Sequence, residues 1–220
     1  EAAGTMRKLG CNADLAGVLH DFGYLLVLNG KNDLAVEIYK EALEIRNSLF
    51  GKNHPDTAKT LGGLAQAYNV LGERRHTISL HRQELAILQR HYRESHPDVI
   101  MAMSHLASAL MWGDVTESEK LFERVLALKR RHLGEDHPEV AWTLYEMSFL
   151  NVQRGNYERA ETIAREVLAM RDKGLNPEHA AIGSVLMSLA RSLLGQGKPG
   201  EAKLAVEECL RFRTKTHRAD

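Results

Sequence analysis

The sequence predicts an all-α array of five antiparallel helix pairs stacked into a solenoid. The first observation behind this is a repeat: equivalent stretches begin at 13, 55, 97, 138 and 180, in steps of 42, 42, 41 and 42. A fixed period in the range of about 20–50 residues is the signature of a stacked array whose units pack on their neighbours. The second is the opening of each copy, His54-Pro55, His96-Pro97 and His137-Pro138, with weakened forms at Asn12-Ala13 and His179-Ala180. The third is a glycine midway through each copy, at 30, 72, 113, 155 and 197, where a helix is expected to end. The modules are therefore 13–54, 55–96, 97–137, 138–179 and 180–220. Residues 1–12 read as the end of a preceding helix, and the start at Glu1 reads as that of a segment of a longer protein.

Each module begins with a first helix. Pro55, Pro97 and Pro138 suit its first position, where the absent N–H costs nothing and the fixed φ is already helical. Asp14, Asp56, Asp98 and Glu139 follow, with the sign that a helix N-terminus favours. Apolar residues then recur at spacings of three and four, as in Leu61, Leu64, Ala65 and Tyr68, or Leu144, Met147 and Ser148. The second helix repeats side-chain size in register: Ala35, Ala160 and Ala202 at a small site, Tyr39 and Phe122 at a bulky one, then Ala42, Val125, Val167 and Cys209. Arg46, Arg90, Lys129, Arg171, Arg211 and Arg213 gather at its end, the charge a helix C-terminus attracts. Two copies depart. The second carries Thr77 at the small site and Glu84 at a core position, so Glu84 is expected to pair with His81 or Arg82 or to reach solvent. The third lacks one residue before Gly113, which should shorten its first helix or distort its turn.

The pattern L-x-x-L-A-x-x-Y-x-x-x-G-x-x-x-x-A, with a linker ending in L-G-x-D-H-P, resembles the tetratricopeptide repeat and is similar to the arrays of kinesin light chains and nephrocystin-3-type proteins. The resemblance covers about residues 13 to 213. It implies right-handed superhelical stacking, with first helices lining an inner groove and a non-catalytic role in binding protein partners. In kinesin light chains the first helices read L-N-N-L-A. The matching positions here read Leu61-Gly62-Gly63-Leu64-Ala65, Met103-Ser104-His105-Leu106-Ala107, Leu144-Tyr145-Glu146-Met147-Ser148 and Leu186-Met187-Ser188-Leu189-Ala190, without asparagine. Co-chaperones of the superfamily hold a C-terminal carboxylate with Lys and Asn; only Lys59 and Asn69 match. Neither peptide-clamping mode is expected.

Other function classes find little support. Lys+Arg and Asp+Glu both number 29, so no net field draws the chain to nucleic acid or anionic lipid. The longest apolar run, Tyr24 to Leu28, is far short of a membrane span. Cys11 and Cys209 lie near opposite ends of an elongated array and are not expected to bridge, and no N-x-S/T site occurs; a cytoplasmic setting follows. Nucleotide-binding, zinc-protease and serine-hydrolase motifs are absent, so neither enzyme activity nor a cofactor is expected. His54, His96, His137 and His179 recur one per module and cannot converge on one ion; they are assigned to turns or caps. His76, His81 and Glu84 share one helix within reach of a metal, but without a visible second shell no metal site is expected.

The informative surface is the groove face of the first helices, at offsets 4, 7, 11 and 14 from each module start. In the second module it is polar: Lys59, Gly62, Gln66 and Asn69. In the fourth it carries Trp142, Tyr145 and Phe149 on a helix apolar nearly all round. Met101 and Met111 of the third module, Met187 and Arg191 of the fifth and Tyr24 of the first complete the set, with Lys59 and Arg191 as charged edges. Aromatics and adaptable methionines point to capture of an amphipathic helix or apolar peptide from a partner. The rival expectations are that the rings pack on adjacent modules, or that the patch is filled by another copy or by another domain of the parent chain.

Overall fold

The computed structural model describes the backbone of residues 2–172 and 180–216, and the side chains of 12–171 and 181–214. His179, His217 and the side chain of Cys11 lie outside these. Ten α-helices and no strand run through the described residues: α1 (Ala2–Leu28), α2 (Asn32–Phe50), α3 (Pro55–Val70), α4 (Arg74–His91), α5 (Pro97–Leu110), α6 (Val115–Leu133), α7 (Pro138–Gln153), α8 (Tyr157–Asp172), α9 (Ala180–Gly195) and α10 (Pro199–Thr216). Residues 2–12, read as the end of a preceding helix, are continuous with the first module's helix in α1. The chain divides into two compact units, Glu1–Gly113 and Asp114–Asp220.

The division falls at the turn that is one residue short. In four modules the glycine adopts positive φ, at Gly30, Gly72, Gly155 and Gly197. There the N–H one residue beyond donates back to the carbonyl five residues earlier, as from Glu73 to Tyr68 and from Asn156 to Asn151, both at 2.9 Å. This Schellman closure satisfies carbonyls that a helix end leaves open. Gly113 has no positive φ and donates to the Leu110 carbonyl at 2.9 Å in a tighter turn. α5 accordingly has 14 residues where α3 and α7 have 16.

The linker histidines are caps. The Nδ1 atoms of His54, His96 and His137 accept the backbone N–H of Asp56, Asp98 and Glu139 at 3.1, 3.2 and 3.1 Å. Each holds extended backbone immediately before a proline at the first helical turn. The rings of Phe50 and Tyr92 stack on His54 and His96 and fix the ring planes.

In the first unit Tyr39 is the centre of packing. It is fully buried with Leu26, Ala35, Val36, Leu64 and Ala67, and its ring lies against Gly23 of α1 and Gly63 of α3. α5 closes this unit by packing on α4. In the second unit the size register holds in the same way: Phe122, Val125, Ala160, Val167, Ala202 and Cys209 are all buried. The Ser148 hydroxyl donates to the Ala160 carbonyl at 3.0 Å and meets Ser188 at 2.7 Å, tying α7 to α8 and α9. Cys209 is a free thiol directed at the Gly183 carbonyl.

Arg90, Arg130, Arg131 and Arg171 stand in last turns as expected, whereas Arg46 and Lys129 lie before the last turn and do more than complement a macrodipole. Arg46 is buried, and its Nη1 donates to the Asp56 carbonyl and the Thr60 hydroxyl, both at 2.7 Å. Lys129 is buried likewise and reaches the Glu139 carboxylate at 2.9 Å and the Thr143 hydroxyl at 3.1 Å. Each latches the end of a second helix onto the first turns of the next module. In the second unit an ion-pair ladder joins the second helices: Arg159 pairs with Glu119 and Glu123 at 2.8 and 2.9 Å, and Arg165 bridges Glu161 and Glu201.

Candidate partner-binding faces

In the second unit α7 presents Trp142, Tyr145 and Phe149 along one face, one turn apart, because their spacing of three and four follows the helical period. The Trp142 and Tyr145 rings are 5.3 Å apart and tilted, and Tyr145 and Phe149 follow at 6.4 Å. Trp142 is 41% exposed, while Tyr145 and Phe149 are half-buried. The rings thus form a ladder that is neither core nor fully open. α9 packs beside α7 and adds half-buried Met187, exposed Arg191 and exposed Leu194. The result is an apolar strip bordered by one guanidinium.

The first unit carries the remaining candidates. Tyr24 on α1 and Met101 on α5 are half exposed, Lys59 on α3 is exposed, and Met111 is half-buried. Sequence reasoning missed Trp112, which is 54% exposed and whose carbonyl accepts from Arg74 at 3.0 Å. A tryptophan beside a shortened turn is itself a signal that could have found it. Also missed was an exposed stripe on α1, Leu15, Val18, Phe22 and Leu25, which the spacing of three and four could have revealed.

Between α4 and α5 lies a cluster of another kind. His81 and Glu84 are both buried, with His81 Nδ1 2.8 Å from Glu84 Oε2. The pairing expected for Glu84 is therefore made with His81. Desolvation raises the Glu84 pKa, while the hydrogen bond and charge of His81 oppose the rise. His105 of α5 brings its ring to 5.3 Å from that of His81. His76, considered with this group from sequence, instead stacks on Tyr68 and faces Glu73 at 3.4 Å.

The sequence matches the tetratricopeptide repeat family over residues 14–90 and 98–173. No curated protein matches it. Among solved structures, the kinesin light chain-type repeats of Podosopora anserina are 26% identical, with 94% of this chain and 98% of theirs covered and a TM-score of 0.79. BtubC from P. vanneervenii is 19% identical over 96% of this chain and 92% of its own, at a TM-score of 0.75. A Rap protein complexed with competence and sporulation factor is 17% identical, covering 90% of this chain and 54% of its own, at 0.73. The latter two likenesses concern the fold alone. Over most of its length the chain belongs to the tetratricopeptide repeat family, whose helix pairs serve as scaffolds for protein–protein interaction.

Proposed function

We propose that this chain is a non-catalytic adaptor whose α7–α9 face captures an amphipathic helix or apolar peptide of a protein partner. The observation that carries this reading is the ladder of Trp142, Tyr145 and Phe149, half open on a helix that already buries Leu144, Met147 and Leu150 on its other side. A large aromatic area held rigid by neighbouring rings loses little entropy on binding, which is why such residues dominate interface energetics. Met187 adapts to the shape of the incoming side chains, and Arg191 favours an acidic residue at the edge of the segment. In the first unit, Tyr24, Lys59, Met101 and Met111 are the corresponding contacts. A reducing, cytoplasmic setting suits the free thiol of Cys209, and among the described residues no helix is long and apolar enough to cross a membrane.

The test is selection of peptides from a displayed random library on the folded chain, followed by binding measurements on the winners. Enriched sequences should be apolar or amphipathic and should lose binding to Tyr145→Ser/Phe149→Ser. Enrichment of charged or proline-rich peptides indifferent to that change would refute the reading.

A second reading is favoured by the α1 stripe of Leu15, Val18, Phe22 and Leu25: a second copy of the chain, or a neighbouring domain of a parent protein, covers it. Sedimentation equilibrium distinguishes the two cases. A concentration-dependent dimer lost in Val18→Glu supports self-association; a monomer at all concentrations excludes it.

A further inference from the structure

At the seam between the second and third modules two core positions are given over to ionisable groups. Forty-two residues before His81 and Glu84 stand Tyr39 and Ala42, and 41 residues after them stand Phe122 and Val125; all four are buried and make an ordinary core. Placing an imidazole and a carboxylate there costs stability unless something compensates both. The surroundings are shaped for the carboxylate. A Cβ at Gly62 would lie 2.4 Å from Glu84 Oε1, so the missing side chain on α3 is what makes room for it. Opposite, where the preceding module has Gly63 beneath Tyr39, α5 supplies His105.

We propose that His81, Glu84 and His105 form a binding site for a divalent transition-metal ion of the zinc class, with two imidazoles and one carboxylate as ligands and water in the fourth position. One ligand atom from each residue lies within 4.8 Å of the other two. A four-coordinate ion with bonds of about 2.0–2.2 Å holds its ligand atoms about 3.3 Å apart, so rotation of the half-buried His105 completes the set. The 2.8 Å approach of His81 Nδ1 to Glu84 Oε2 already brings two donors together on one helix turn. Two imidazoles with a carboxylate suit zinc, cobalt or nickel; magnesium and calcium require a shell of oxygens. The ion replaces the solvation that burial removes from Glu84 and takes the place of its hydrogen bond with His81. It also joins α4 to α5 inside the first unit.

The experiment uses the whole chain, stripped with chelator and titrated with Co²⁺ followed by visible absorption, then with Zn²⁺ followed by calorimetry and thermal unfolding. One equivalent should bind, with the visible bands of a low-coordinate nitrogen–oxygen site, and Zn²⁺ should raise the unfolding temperature. His105→Ala and Glu84→Gln should weaken Zn²⁺ binding by at least about 100-fold, while His76→Ala binds as the unaltered chain does. Ring resonances of His81 and His105 in the unaltered chain give an answer independent of any variant's folding: they shift on adding one equivalent of Zn²⁺. Absence of stoichiometric binding, unmoved His81 and His105 resonances, or affinity that survives both substitutions would overturn the proposal.

Discussion

The ring of Tyr39 occupies the space that a side chain at Gly63 would need. A Cβ at Gly63 would stand 2.5 Å from Tyr39 Cε1, and one at Gly23, on the other side, 2.9 Å from Cζ. The ring is clamped between two bare stretches of helix and has nowhere to retreat. Gly63→Ala should therefore destabilise the chain by about 1–3 kcal/mol through overpacking, more than offsetting the roughly 1 kcal/mol that alanine gains in a helix interior. Urea unfolding measures the loss. Adding Tyr39→Leu to Gly63→Ala should recover part of it, and strict additivity of the two changes would show that the clamp is not what the glycine serves.

Arg46 ties α2 to the head of α3. Its guanidinium is buried and donates to Asp56 and Thr60 at the head of α3. Arg46→Met keeps the aliphatic packing and removes charged hydrogen bonds worth about 1.5–3 kcal/mol. Exposed Arg211→Met is the control and should stay within about 0.5 kcal/mol. Equal effects of the two changes in chemical denaturation would reduce Arg46 to a helix-end charge.

The capping histidines predict a graded series at one site. His96→Ala should cost about 1 kcal/mol by leaving the Asp98 N–H without its acceptor. His96→Asn, whose carbonyl oxygen reaches a similar position, should retain most of the stability.

Glu161 gives a pH dependence of definite sign. Hydrogen bonds from Gln196 and then Arg165, with Lys198 beyond, hold its pKa down to about 2. The unfolded chain takes up that proton near the ordinary carboxylate value of about 4.3. The contribution is thus fully present above that value and is lost as pH falls toward 2. Stability measured from pH 5 to pH 2 should fall less steeply in Glu161→Gln than in the unaltered chain. Parallel profiles would mean that these contacts are not made in solution.

These residues show what a sequence can reveal and why it stops. The helix pairs were legible because their signals are local: a capping histidine before proline, a glycine after the last turn, a small or bulky residue in register. Even the missing residue before Gly113 announced a shorter α5. The latches were not, since a basic residue at a helix end looks the same whether it points to water or to Thr60. His105 escaped for a related reason. It joins His81 and Glu84 from the next module, and no periodicity within one helix places it there. The aromatic face of α7 was legible as composition, but the half-exposure of Tyr145 and Phe149 depends on how closely surrounding helices approach, which a helical wheel does not contain.

The most direct test of the account compares the affinity of library-selected amphipathic peptides for the unaltered chain and for Tyr145→Ser/Phe149→Ser, with far-ultraviolet circular dichroism on both. The account predicts at least a tenfold loss of affinity with helicity unchanged. Undiminished binding, or a loss of helicity accompanying the loss of binding, would contradict it and return those rings to the core.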